Sequence, residues 1–190
     1  MMKKHFTSAL VAVTLGLGLA GTSAVPVNAE TDPIVGSAVM YPTRNIIQNA
    51  VNSRDHTTLV AAFKAAGLVN PLSGPGPFTV FAPTNQAFDK LPAGTVETLL
   101  KPENKETLVK VLTYHIVPGR FSARELKKII KQRKGKATLK TVQGEDLIAA
   151  VEGGTVVLTD AKGGKSTVSI ADVFQSNGVI QVIDTVLMPN

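Results

Sequence analysis

A chain of 190 residues, 44% hydrophobic and 18% charged, has the length and composition of about one globular domain. Zero cysteines exclude a disulfide framework, a thiol nucleophile, a cysteine-ligated zinc or iron–sulfur centre and a lipobox anchor, and once the leading segment with His5 is set aside only His56 and His115 remain, too few for a multi-histidine metal site. The net charge of +6 is local: of 20 Lys and Arg, nine fall between Arg120 and Lys140, where Glu125 is the single acid, so the pI of 9.6 gives no general support to nucleic-acid binding.

The first segment reads as an address. Lys3 and Lys4 precede an apolar run over residues 6–20, and Val27-Asn28-Ala29 offers a small residue for cleavage. That pattern predicts a signal peptide over residues 1–29. The run is short for a spanning helix, and no later segment is long enough for one. The mature product is expected to be soluble and monomeric, in a periplasm or outside the cell. Residues 30–38 read as a lead-in, and residues 39–190 as a single domain without internal repeats.

Within that domain the periodicity predicts a short helix over residues 45–52. A second, from Thr57 or Thr58, carries Leu59, Ala62, Phe63 and Ala66 at helical spacing and stops at Gly67. Three prolines and two glycines over residues 70–77 predict a loop. Phe78-Thr79-Val80-Phe81-Ala82 reads as a strand. Thr84 caps a helix over residues 85–90, and another follows over residues 95–100. Pro102 suits the first turn of a third, which carries Leu108, Val109, Val111 and Leu112. Ser122 and Glu125 have capping-box spacing for a helix to about Gln132. Strands are then predicted over residues 137–142, 147–151, 155–159, 167–170 and 179–188. The last is apolar at both parities, as in a central strand buried on both faces. Helices dominate the first half and strands the second, so the fold class is α+β.

Several segments resemble one family. Residues 79–85 (T-V-F-A-P-T-N) with Ala87-Phe88 resemble the first homology motif of fasciclin domains. Residues 112–119 (L-T-Y-H-I-V-P-G) are similar to their central tyrosine–histidine motif, and residues 177–184 (N-G-V-I-Q-V-I-D) with Leu187-Met188-Pro189 to the second homology motif. His56-Thr57-Thr58-Leu59 with Ala65-Ala66-Gly67-Leu68 is similar to the family's early helix. The resemblance implies helices packed on a two-sheet β wedge. It implies no cofactor and no enzyme activity, but an exported binding or adhesion role at a cell surface, matrix or host, symbiosis included. In animal members the tyrosine–histidine motif and a short acidic motif are tied to integrin binding. The matching positions here are Tyr114, His115, Asp172, Val173 and Phe174, though the neighbours of Asp172 depart from the animal pattern.

The residues themselves favour a structural role for the motifs. Thr84 can satisfy a helical N–H, Asn85 can bond within the corner, and His115 lies among apolar neighbours where its ring needs a partner. No nucleophile elbow occurs. Gly164-Lys165-Ser166 lacks the earlier glycine of a phosphate loop, with Thr159 in its place. Glu145-Asp146 is a turn pair and not a glycosidase pair. The alternative kept open is a small-molecule carrier or weak hydrolase using His115. On the helix after Ser122, Leu126, Ile129 and Ile130 share one face. Arg124, Lys127, Lys128, Lys131 and Lys134 cover the rest. That face is either plainly solvated or a patch for an anionic lipid, an acidic polysaccharide or an acidic protein.

Overall fold

The computed structural model describes residues 32–190; the expected signal peptide and its cleavage site lie outside the described residues. The described chain opens with a hairpin, β1 (Ile34–Val35) and β2 (Ala38–Val39), where a lead-in was expected. Val35 and Met40 are buried in the first core, so the fold begins before residue 39. A short amphipathic hairpin is too brief to show periodicity in the sequence.

Local chemistry then places the helices. Asn45 caps α1 (Ile46–Ala50) in a reciprocal capping box with Gln48. α2 (Thr57–Ala66) ends at Gly67, which adopts the left-handed conformation that closes a helix. α3 (Val69–Ser73) occupies the first part of the expected loop. Pro71 is tolerated there because it sits in the first turn, where a backbone N–H has no intrahelical acceptor. β3 (Phe78–Pro83) leads into α4 (Asn85–Asp89), and the Ala87 N–H donates to the Thr84 hydroxyl at 3.2 Å. α5 (Thr95–Leu99) follows, and Pro102 opens a separate 3-10 turn before α6 (Lys105–Tyr114). β4 (Ile116–Pro118) was not predicted, and Ser122 with Glu125 forms the expected capping box of α7 (Ala123–Gln132).

The remaining strands are β5 (Lys136–Lys140), β6 (Asp146–Glu152), β7 (Thr155–Thr159), β8 (Lys165–Gln175) and β9 (Gly178–Ile183). Seven strands join in the order β4-β3-β9-β8-β7-β6-β5, with β3 and β9 parallel and the other pairs antiparallel. The expected two-sheet wedge is present as two wings, β4-β3-β9-β8 and β8-β7-β6-β5, joined through β8. The start of β8 pairs with β7 and its remainder with β9, and register shifts at residues 168–170 and 170–173 mark the change.

β3 and β9 separate two cores. Val80, Ala82, Ile180 and Val182 face the first, against Ile46, Leu59, Phe63 and Leu108. Phe81 and Ile183 face the second, against Leu126 and Ile130 of α7 and Leu139, Leu147 and Leu158 of the far wing. All of β9 is buried, as its double apolar parity predicted. It ends earlier than expected because Asp184 turns the chain: its carboxylate accepts the Thr167 N–H at 2.8 Å.

Candidate functional site

The tyrosine–histidine pair at the end of α6 lies inside the protein. Tyr114 is 0% and His115 1% exposed. The Tyr114 hydroxyl donates to the Asp146 carbonyl at 2.9 Å and accepts the Ala161 N–H at 3.0 Å, which ties α6 to the start of β6 and to the turn after β7. Burial, ahead of nearby acids, pushes its pKa up to about 12. His115 Nδ1 lies 2.8 Å from the Val111 carbonyl, and Nε2 lies 3.0 Å from the Leu187 N–H. A carbonyl only accepts and an N–H only donates, so these partners fix the neutral tautomer with its proton on Nδ1. Burial lowers its pKa to about 4. Both ring nitrogens are spent on backbone, and no lone pair is left for a substrate or a metal.

The corner after β3 is a clamp between two helices. The N-terminus of α2 has no cap from its own preceding residue. Asn85 supplies one from across the fold: its Oδ1 accepts the Thr58 N–H at 3.0 Å and the Thr57 hydroxyl at 3.2 Å, while its Nδ2 donates to the Arg54 carbonyl at 2.8 Å. The expected local bonding of Asn85 is thus replaced by a long-range cap. Asn85→Ala is expected to lower the unfolding free energy by about 1–3 kcal/mol, since an orphaned helical donor adds to the lost bonds. A urea melt of the variant checks this.

The segment 170–174 divides between inside and outside. Val173 is 0% exposed and Phe174 41%, on opposite faces of β8. Tyr114, His115 and Val173, all expected as partner contacts, are therefore buried and offer no side chain to a partner. Asp172 sits at the bulge with φ 61°, a left-handed conformation that Asp tolerates better than most residues. Its Oδ1 accepts the Ala123 N–H at 2.7 Å and Gln181 Nε2 at 3.0 Å, while its own N–H donates to Gln181 Oε1 at 3.1 Å. Gln181 Nε2 also donates to the Phe121 carbonyl at 3.0 Å. Asp172 thus fixes the bulge against the start of α7. Arg120 donates through Nη2 to the carbonyls of Gln175 and Ser176 at 3.0 and 3.2 Å, directly after Phe174. The result is a rigid strand that exposes Phe174 on the face away from Val173, with Arg120 bonded just beyond it and the start of α7 attached to the bulge. Arg124, Lys127, Lys128, Lys131 and Lys134 are all exposed.

The sequence profile of the Fasciclin domain matches residues 54–189. The chain belongs to the fasciclin-domain family. A Synechocystis protein, sll1483, is 48% identical over 160 residues, covering 84% of this chain and 82% of that protein. The cell surface glycolipoprotein MPB83 of Mycobacterium bovis is 31% identical over 158 residues, covering 83% of this chain and 61% of that one. Among solved structures, a FAS1 domain pair from the insect cell adhesion molecule fasciclin I superposes with a TM-score of 0.67 at 20% identity, covering 76% of this chain and 51% of that chain.

In this fasciclin domain the residues missed from sequence are Gln181, Arg120 and His56. Gln181 is fully buried in an otherwise apolar strand, and a lone polar residue at that position is the signal that could have found it. His56 is 3% exposed; its Nδ1 lies 2.9 Å from the Ser53 hydroxyl, and its Nε2 has no hydrogen-bond partner. Burial lowers its pKa against the opposing pull of the Ala82 backbone and Asp55. It lines an internal apolar cavity of about 10 Å³, room for one water at most. The Gly163-Gly164-Lys165 turn is also explained: Asp160 Oδ1 accepts the Lys162 and Gly164 N–H groups at 3.0 and 2.7 Å, which occupies donors a phosphate would need. Among the described residues no group of His, Asp and Glu is placed to hold a metal ion.

Proposed function

We propose that this fasciclin domain is an exported, non-enzymatic binding module that works at a cell surface or in a matrix, through the outer face of β8 and the adjoining α7. One observation carries the reading. The polar groups of the family motifs are consumed within the fold, whereas Phe174 stays 41% exposed on β8, directly after a bulge held by Asp172 and Gln181. An aromatic anchor on a rigid base loses little entropy on docking, which is what an interface core needs. A relative that is a cell surface glycolipoprotein and a structural neighbour from a cell adhesion molecule support the same role.

The test is retention of the purified protein on intact cells and on extracellular matrix. The double variant Ile170→Ser, Phe174→Ser removes exposed apolar surface and is expected to keep its stability within about 0.5–1 kcal/mol. It should bind about tenfold or more weakly, as loss of an interface anchor does. Undiminished retention of that variant contradicts the proposal.

A further inference from the structure

We propose that the outer face of α7 and the groove beside it bind a linear acidic polysaccharide. This rests on the binding-module reading and names the chemistry of one partner. Leu126 and Ile130 turn one side of α7 into the second core, so Arg124, Lys128 and Lys131, with Lys127 beside them, line the opposite side. The charges from Arg124 to Lys131 are spread over about 10 Å of the helix, and the exposed Lys134 and Lys136 follow it in the chain. The two ion pairs among the described residues join Lys140 to Asp146 and Lys165 to Glu152. Neither uses a cation of α7, so the fold does not neutralise this row.

A second observation narrows the partner. Beside the row lies an open groove of about 260 Å³ lined by Arg120, Phe121, Glu125, Lys128, Ile129 and Gln132. Phe121 and Ile129 are half-buried and give it an apolar floor, while Arg120, Lys128 and Gln132 supply donors at its edges. Its volume falls below the roughly 300–1,000 Å³ of pockets that enclose a whole small ligand. It suits one segment of a chain that continues along the helix. Glu125 is the acid in the groove, and it accepts the Ser122 N–H at 2.7 Å and the Ser122 hydroxyl at 2.9 Å, bonds that hold its pKa below the ordinary range and tie its charge to the helix start. A pyranose has apolar faces for an aromatic ring and anionic groups for the row of cations, which meets both features at once.

A membrane is a poorer match. The apolar residues of α7 with the deepest burial, Leu126 at 0% and Ile130 at 2% exposed, are already committed to the core, and the chain contains no Trp to anchor at an interface. Single-stranded nucleic acid needs successive stacking platforms, and the groove provides one ring.

The test titrates the full chain with heparin, a polysulfate, with polygalacturonate, a polyuronate, and with phosphatidylglycerol vesicles, each across a salt series. Binding to either polysaccharide, weakening as salt rises, is expected, and the stronger of the two identifies the anionic group. The variant Arg124→Gln, Lys127→Gln, Lys128→Gln, Lys131→Gln should melt with wild-type protein and bind about 100-fold more weakly or worse. Phe121→Leu should weaken binding severalfold without changing the salt dependence. Failure to bind both polysaccharides at low salt, equal binding by the quadruple variant, or tighter binding to vesicles overturns the proposal. The Ile170→Ser, Phe174→Ser variant separates the two readings: loss of surface retention alongside unaltered titrations leaves the module intact and refers only to β8.

Discussion

His115→Ala is expected to lower the unfolding free energy by about 3–5 kcal/mol, from the cavity left by a fully buried ring and the orphaned Leu187 N–H and Val111 carbonyl. The ring joins α6 to the segment after β9, so its loss detaches the C-terminal stretch from the helix that packs on it. The same burial predicts how the wild-type protein responds to acid. The His115 pKa falls from 6.5 in the unfolded chain to about 4 in the fold. Above the unfolded value both states are neutral and stability is complete. As pH drops from about 6.5 toward about 4, the unfolded chain takes up a proton that the folded one refuses. Stability then declines by up to about 1.4 kcal/mol per pH unit, roughly 3 kcal/mol across the window. His56, also held low by burial, adds to the same limb. Urea melts at a series of pH values should show a flatter acid limb for His115→Ala than for wild type. An equally steep limb contradicts a neutral buried His115.

Gly178→Ala should be at least as damaging, with an expected loss above about 3 kcal/mol or no folded product. Gly178 opposes Phe78 in the parallel register of β3 and β9. A Cβ there would lie 2.2 Å from the Phe78 carbonyl oxygen and 2.9 Å from Ile46 Cδ1. Ile46 can change rotamer, but the Phe78 carbonyl belongs to a strand fixed on both sides by β4 and β9. Overpacking with room to relax costs about 1–3 kcal/mol, and here the obstacle is backbone. Asn177, immediately before, accepts the Ile46 N–H and donates to the Leu72 and Gly74 carbonyls, so the alternative of moving β9 breaks those bonds as well. A loss below about 1 kcal/mol in equilibrium unfolding would show that the β3–β9 register is wrong.

Much of the fold is legible in the sequence where the signal is local. Ser122 and Glu125, Thr84, and Gly67 mark helix ends through bonds spanning a few residues, and the alternation of β5 to β7 places those strands within a residue or two. What fails is long-range. The parallel pairing of β3 with β9 joins residues about a hundred positions apart, and no local pattern announces it. The cap that Asn85 gives α2 has the same character. Apolar flanks foretold the burial of Tyr114 and His115, but not their backbone partners. For Val173 and Phe174, strand alternation says that neighbours point to opposite faces; which face is wet depends on the packing of the first core against β8. The basic helix is the reverse case, since its apolar stripe already shows which side is outward.

The central claim is a division of labour, in which motif residues hold the domain together and the β8–α7 surface binds. The most direct measurement sets melting temperature against cell-surface and matrix retention for two variants, His115→Asn and Ile170→Ser, Phe174→Ser, with retention assayed well below both melting points. The account predicts a lowered melting temperature with full retention for His115→Asn, and an unchanged melting temperature with retention reduced about tenfold for the double variant. The opposite pattern, with retention lost at unchanged stability in His115→Asn and kept in the double variant, would contradict it.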